Sequence, residues 1–149
     1  MGYTHYFEHK KTTKTKWKSI KNACKVLSLN LPKDVIIDGC LAHKEPVFDD
    51  TMIWFNGTDK GFTWEDRKAN KRPENGHETF VLEQKGSGDD LAFCKTARKP
   101  YDLLVCACLL VYKHYSPTTI KLSSNGNAED WKDAEEFVLK HLGIAVKFE

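Results

Sequence analysis

The sequence predicts a single α+β domain, residues 1–149, built on a mainly antiparallel sheet with about three helices packed mostly on one face. Three observations predict it. Strand signals cluster between the first and second helices instead of alternating with helices one for one. Leu103 to Val111 is apolar without a break, which marks a helix buried on most sides. The other two helices each carry one apolar face. The expected order is β-α-β-β-β-β-α-β-α-β. A chain of 149 residues is long enough for a substantial core, and it shows no internal repeat or low-complexity tract.

Gly2–His9 reads as a strand with Tyr3, His5, Phe7 and His9 on one face and Thr4, Tyr6 and Glu8 on the other. Rings on both faces predict a central strand. Thr13–Leu29 is a helix, with Trp17, Ile20, Ala23, Cys24 and Leu27 inward and Lys14, Lys16, Lys18, Lys21 and Lys25 outward. That lysine face is a solvated surface or a patch that attracts a polyanion. Pro32 ends the segment. Asp34–Asp38 is a short strand, Cys40–Pro46 a connection and Asp50–Asn56 a strand. Asn56-Gly57 is read as its closing turn. Thr58–His77 is polar and turn-rich, the longest loop candidate, with Phe62 and Trp64 its large apolar residues.

Glu78–Lys85 and Leu91–Ala97 are the next strands, separated by Gly86-Ser87-Gly88. A helix then runs from Pro100, which suits a first helical position, to Tyr115, where Pro117 prevents continuation. Thr119–Ser123 is a strand. The last helix is capped by Asn127 with Asp130 at the capping-box position, turns Trp131, Ala134, Val138 and Leu142 inward, and stops at Gly143. Ile144–Phe148 is expected as a closing strand.

Composition narrows the function classes. Hydrophobic residues are 40% and charged residues 30%, as in ordinary globular domains. A net charge of +2 is too small for a dedicated nucleic-acid binder, so a polymeric nucleic acid is not the expected partner. The five cysteines, Cys24, Cys40, Cys94, Cys106 and Cys108, are odd in number and lack paired spacing, which argues against a disulfide framework and for a reducing compartment. Gly2–Lys11 is not a signal peptide, and the longest apolar run is too short to cross a bilayer. The expected location is the cytoplasm, with no membrane partner.

The stretch Phe93–Tyr115 organises the chain. Lys95, Thr96, Arg98 and Lys99 stand directly before the apolar helix, and Asp102 falls in its first turn, favourable to the helix dipole. Free backbone N–H groups at that helix start would add to the cations, which predicts a site for a phosphate-bearing ligand. Arg98 can bind phosphate bidentately. Tyr3, His5 and Tyr6 are candidates for stacking on a base or touching a ribose. Tyr101 is a ligand contact or a core anchor, and Asp102 holds Arg98 or accepts from a ribose. The bland reading of the same stretch is a buried helix preceded by a solvated basic turn.

Rival chemistries are weaker. His5 and His9 lie roughly 13 Å apart along a strand, too far to share an ion. Cys106 and Cys108 point in different directions on a helix, so no metal ligands are assigned. Cys94 and His5 could be paired across strands, but inert packing of Cys94 is the better reading. A two-histidine phosphoesterase would need two His-x-Ser/Thr units; Thr4-His5 has the wrong order, and His114-Tyr115-Ser116 is read as a partial match. No P-loop or dinucleotide fingerprint occurs, and no cofactor is expected.

The opening Met1-Gly-Tyr-Thr-His-Tyr6, the block Phe93-Cys-Lys-Thr-Ala-Arg-Lys-Pro-Tyr-Asp102 and the Ser123-Ser-Asn-Gly126 turn followed by Trp131 resemble a family of small bacteriophage proteins of unknown function. The resemblance runs nearly end to end. It implies an accessory protein acting in the host cytoplasm, of a kind that often counters host defence, in some cases by sequestering a nucleotide immune signal. At position 125 the family pattern leads to Asp, and Asn125 stands there instead, which puts a carboxylate role at this turn in doubt. The function expected is therefore capture of a small phosphorylated, nucleotide-type ligand without turnover. A phosphoesterase or nucleotide-modifying enzyme using His5 or His114, and a protein-interaction inhibitor of a host factor, are the alternatives. Association with a second copy of the chain is left open.

Overall fold

The first strand, β1 (Thr4–His9), is the middle strand of a three-stranded antiparallel sheet, as its two aromatic faces predict. The computed structural model describes residues 2–88 and 90–149; Met1, the first residue of the opening block, lies outside them. After β1 come α1 (Lys14–Ser28), β2 (Ile36–Asp38), β3 (Val47–Phe48), β4 (Met52–Thr58), α2 (Trp64–Lys68), β5 (Phe80–Glu83), β6 (Ala92–Lys95), α3 (Asp102–Tyr115) and β7 (Ile120–Ser124). A 3₁₀ turn, Ala128–Trp131, leads into α4 (Lys132–Leu142). The result is a mixed α+β fold with antiparallel pairing in both of its sheets.

The first sheet runs β6-β1-β7, with His5 opposite Cys94 on one side and Ser124 on the other. The second is centred on β4, which pairs with β5 along one edge and with β2 and β3 along the other. Phe7, Phe80, Phe55 and Phe48 form a chain of ring contacts that joins the two sheets, each link spanning 5.2–6.1 Å between centroids. The apolar helix α3 packs against both α1 and α4. Nine of its residues, Leu104 to Tyr112, are buried. No helix among the described residues is long and apolar enough to cross a membrane.

Five expectations are corrected. Asn56-Gly57 is not a turn; it lies inside β4, with Asn56 opposite Asp38 and Gly57 opposite Ile37. Asn56 spends its side chain across the sheet end, accepting from the Gly57 and His77 amides and donating to the His77 carbonyl and Thr79. Gly57 is required for close approach, because a Cβ there would meet the Asn75 carbonyl at 2.2 Å. The connection after Cys40 holds the short strand β3, and the long loop holds α2, a single turn closed by a capping box between Thr63 and Asp66.

Ile144–Phe148 forms no strand. Its alternate apolar residues still pack on the core, and Phe148 stacks on Trp131 at 4.3 Å. Its backbone is held by side chains instead of a neighbouring strand. Lys113 Nζ donates to the Lys147 and Phe148 carbonyls, and the Phe148 amide donates to Glu135. The Asn127–Asp130 capping box opens the 3₁₀ turn and not α4, which starts after Trp131 without a side-chain cap, and Gly143 closes α4 at φ +67° as expected.

Candidate functional site

The alternation of β1 decides which of its side chains reach the helices. Tyr3, His5, Phe7 and His9 face inward and are buried. His5 is wholly enclosed between two oxygens. Its Nε2 lies 2.6 Å from Asp102 Oδ1, to which it donates, since a carboxylate oxygen accepts. Its Nδ1 meets Ser124 Oγ at 2.7 Å. Asp102 Oδ1 also accepts from the Thr96 hydroxyl at 2.6 Å, and Cys106 Sγ lies 3.6 Å from Oδ2. Strand, helix and turn thus meet at one carboxylate.

This hub takes up the helix start, where free amides were expected to serve an anion. Pro100 lies in the preceding turn and α3 begins at Asp102. The amides of Asp102, Leu103 and Leu104 are already bonded to the carbonyls of Lys99, Pro100 and Tyr101. They are not free to bind phosphate, and the Asp102 carboxylate itself occupies the positive end of the helix. Asp102 therefore holds His5 and Thr96, not Arg98.

The other predicted residues separate. Lys95 and Tyr6 lie on the outer face of the sheet, because Lys95 is opposite Thr4 and Tyr6 opposite Phe93, a half-exposed ring 6.4 Å away. Neither reaches the hub. Tyr101 is a core anchor: it is fully buried and its hydroxyl donates to the Glu78 carbonyl at 2.6 Å. Tyr3, Arg98, Lys99 and Asp102 remain together, along one cleft of about 600 Å³ beside the hub.

Arg98 is the feature of that cleft that the backbone works to hold. Ala97 and Arg98 both have left-handed backbone, at φ +52° and +59°. For residues other than glycine this costs about 1–2 kcal/mol each. Amides of Thr96 and Ala97 bonded to the Tyr3 carbonyl stabilise the turn. The outcome is a half-exposed guanidinium laid over the Tyr3 ring at 3.9 Å, with Nη1 3.2 Å from Asp130 Oδ1. Hydrogen bonds from the Asn127 backbone and from Arg98 hold the Asp130 carboxyl below the usual carboxylate range.

The opposite wall comes from α4 and the segment after α1: Asp34, Val35, Asp133, Ala134, Glu136, Phe137 and Lys140. The sequence reading missed it. Its signal was present, since Asp133, Glu136, Phe137 and Lys140 follow helical spacing beside the inward stripe. With Asp102 and Asp130 the cleft carries five carboxylates against Arg98, Lys99 and Lys140.

Burial disfavours the thiolate form of the cysteines nearby. Burial pushes the Cys94 thiol up to about 12 and the Cys106 thiol well above its ordinary range. Burial likewise raises the Tyr3 phenol, with the Asp102 charge adding to the effect. Among the described residues, His5, Asp102 and Cys106 form a set that could hold a metal ion, their donor atoms lying within 4.8 Å of one another. Their mutual hydrogen bonds satisfy them without one. Asn125, where a carboxylate was expected, accepts the Thr4 amide at 2.8 Å and fixes the end of β1.

Fold and cleft together define an α+β domain with a cleft at the junction of a sheet end and two helices. Comparison of the chain with protein-family models, curated proteins and solved structures returns no match.

Proposed function

We propose that the protein captures a small phosphorylated ligand of nucleotide type in the Arg98 cleft and releases it unchanged. The observation that carries this is the strained turn that presents the Arg98 fork over Tyr3. Strain held in place by surrounding structure points to use of the side chain it presents. A bare phosphate fits such a wall poorly, because five carboxylates oppose three cations. A nucleotide fits better, with its phosphate on Arg98 and Lys99 and its sugar and base donors on Asp130, Asp133 and Glu136. The two ring nitrogens of His5 are committed within the hub, and the neighbouring thiols are held protonated, so binding is favoured over turnover. The resemblance to phage proteins suggests a nucleotide signal of the host as the cargo.

The test is mass spectrometry of small molecules released by heating the protein after incubation with a nucleotide extract from defence-activated cells. Stoichiometric recovery of an intact phosphorylated compound, lost in Arg98→Ala while the fold persists, is the expected result. Undiminished recovery from Arg98→Ala sinks the assignment. One observation favours a second reading. Ser124 Oγ, His5 and Asp102 are hydrogen-bonded in series, which is the connectivity of a hydrolytic triad. That reading predicts a depleted compound and a new product, both abolished by Ser124→Ala.

A further inference from the structure

A second cleft, of about 580 Å³, opens on the other side of Lys99, between the end of β4 and the loop that follows α2. Its charged lining is the reverse of the first: Arg67, Lys71, Arg72 and Lys99 against one carboxylate, Glu74. Two of those cations have partners outside the lining. Lys71 lies 3.8 Å from Asp66, and Arg67 is held by Asp38. Arg72 and Lys99 still outnumber Glu74.

Arg67 is the informative residue. It is only 8% exposed, yet it lines the cleft. Nε and Nη2 bind the two Asp38 oxygens at 3.0 Å each, and Nη2 also donates to the Gly57 carbonyl at 3.2 Å. Nη1 has no hydrogen-bond partner among the described residues. A guanidinium fixed on one edge and free on the other is pre-organised to receive an oxyanion.

The loop around it is braced. Asp59 accepts from the Glu74 and Asn75 amides at 2.9 Å each, and Asn56 grips both the amide and the carbonyl of His77. The loop therefore does not need to order itself when a ligand arrives, which removes part of the usual cost of binding. The volume suits a small molecule.

We propose that this second cleft binds a small phosphate-bearing molecule, its phosphate oxygens held by Arg67 Nη1, Arg72 and Lys99. Lys99 also lines the Arg98 cleft, whereas Arg67 and Arg72 belong to this cleft and not to that one.

The test is a titration of isotope-labelled protein with inorganic pyrophosphate at physiological salt, followed by amide chemical shifts. Saturable shifts confined to Arg67–Thr79 and Lys99 are expected. Arg72→Glu, a change at an exposed position, should weaken the affinity by about tenfold or more, whereas Arg98→Ala should leave it within about twofold. Three outcomes overturn the proposal. One is the lack of any saturable shift. The second is equal affinity in Arg72→Glu. The third is an oligonucleotide of equal phosphate content binding about tenfold tighter than pyrophosphate, which would make the surface a polymer site.

Discussion

The two clefts share Lys99 and differ in almost everything else. The Arg98 cleft is walled by α3, α4 and the end of β1, and carboxylates dominate it. The Arg67 cleft is walled by a loop, and cations dominate it. Their supports differ in kind as well. The first rests on a buried hub of hydrogen bonds centred on one carboxylate, Asp102. The second rests on a backbone approach so close that only glycine fits, at Gly57. Charge sorts the ligands and support sorts the vulnerabilities. On the two proposals, a molecule with hydrogen-bond donors as well as phosphate is assigned to the first, and a compact oxyanion to the second.

The sharpest way to break this contrast is Asp102→Ala. It leaves the Nε2 of His5, the Thr96 hydroxyl and the Cys106 thiol facing one empty acceptor position, with His5 and Thr96 fully buried. The expected loss is about 3 kcal/mol of stability, read by denaturant unfolding. Pyrophosphate affinity at the second cleft should survive wherever the variant remains folded. A loss under about 1 kcal/mol would mean that water replaces the carboxylate and that the hub is not what supports the first cleft.

Gly57→Ala probes the other support and should cost about 2 kcal/mol, the overpacking of one methyl against a braced loop and a buried ring. The new methyl would sit 2.2 Å from the Asn75 carbonyl and 2.6 Å from the Tyr101 ring. Pyrophosphate binding should weaken, and amide shifts should concentrate between Asn56 and Thr79. Unchanged binding with an unchanged loop spectrum would show that the close approach does not shape this cleft.

The same contrast explains what could be read from the sequence. β1, α1, the apolar α3 and the last helix follow from local periodicity and end signals, and they lie where the sequence puts them. The clefts follow from pairings between distant segments. Lys95 and Arg98 are three residues apart, yet a strand face sends one outward and a left-handed turn sends the other over Tyr3. Nothing in the spacing of Ala97 and Arg98 announces positive φ, since neither is glycine. Asn56-Gly57 carried a turn signal for the right residues and the wrong reason. Its glycine serves a contact with Asn75, eighteen positions on, that local reading cannot supply. Ile144–Phe148 alternates like a strand, but its backbone partners are the side chains of Lys113 and Glu135.

The smallest effect sharpens the comparison by standing outside both clefts. His9 is on the same strand face as His5, and the two rings are treated oppositely. His5 has a partner on each nitrogen, whereas both nitrogens of His9 are buried without one among the described residues, between the rings of Phe7 and Tyr112. Burial therefore lowers the His9 pKa below its ordinary 6.5. The sign follows from proton counting. Above 6.5 the ring is neutral in both the folded and unfolded chains and contributes no pH dependence. Below 6.5 the unfolded chain takes up a proton that the folded protein resists, so stability falls with pH until the folded value is passed. Asp59 and Asp130 also lose stabilisation on acidification. Their folded values are depressed below the ordinary 3.8, so their contribution is present above that pH and disappears only as pH falls through the depressed value. Between pH 7 and pH 5 the protein should lose thermal stability relative to His9→Leu, and the two curves should run parallel above pH 7. Pyrophosphate affinity, measured where both proteins are folded, should be the same in each. Parallel curves throughout would assign the acid sensitivity to another histidine and leave His9 a simple packing residue.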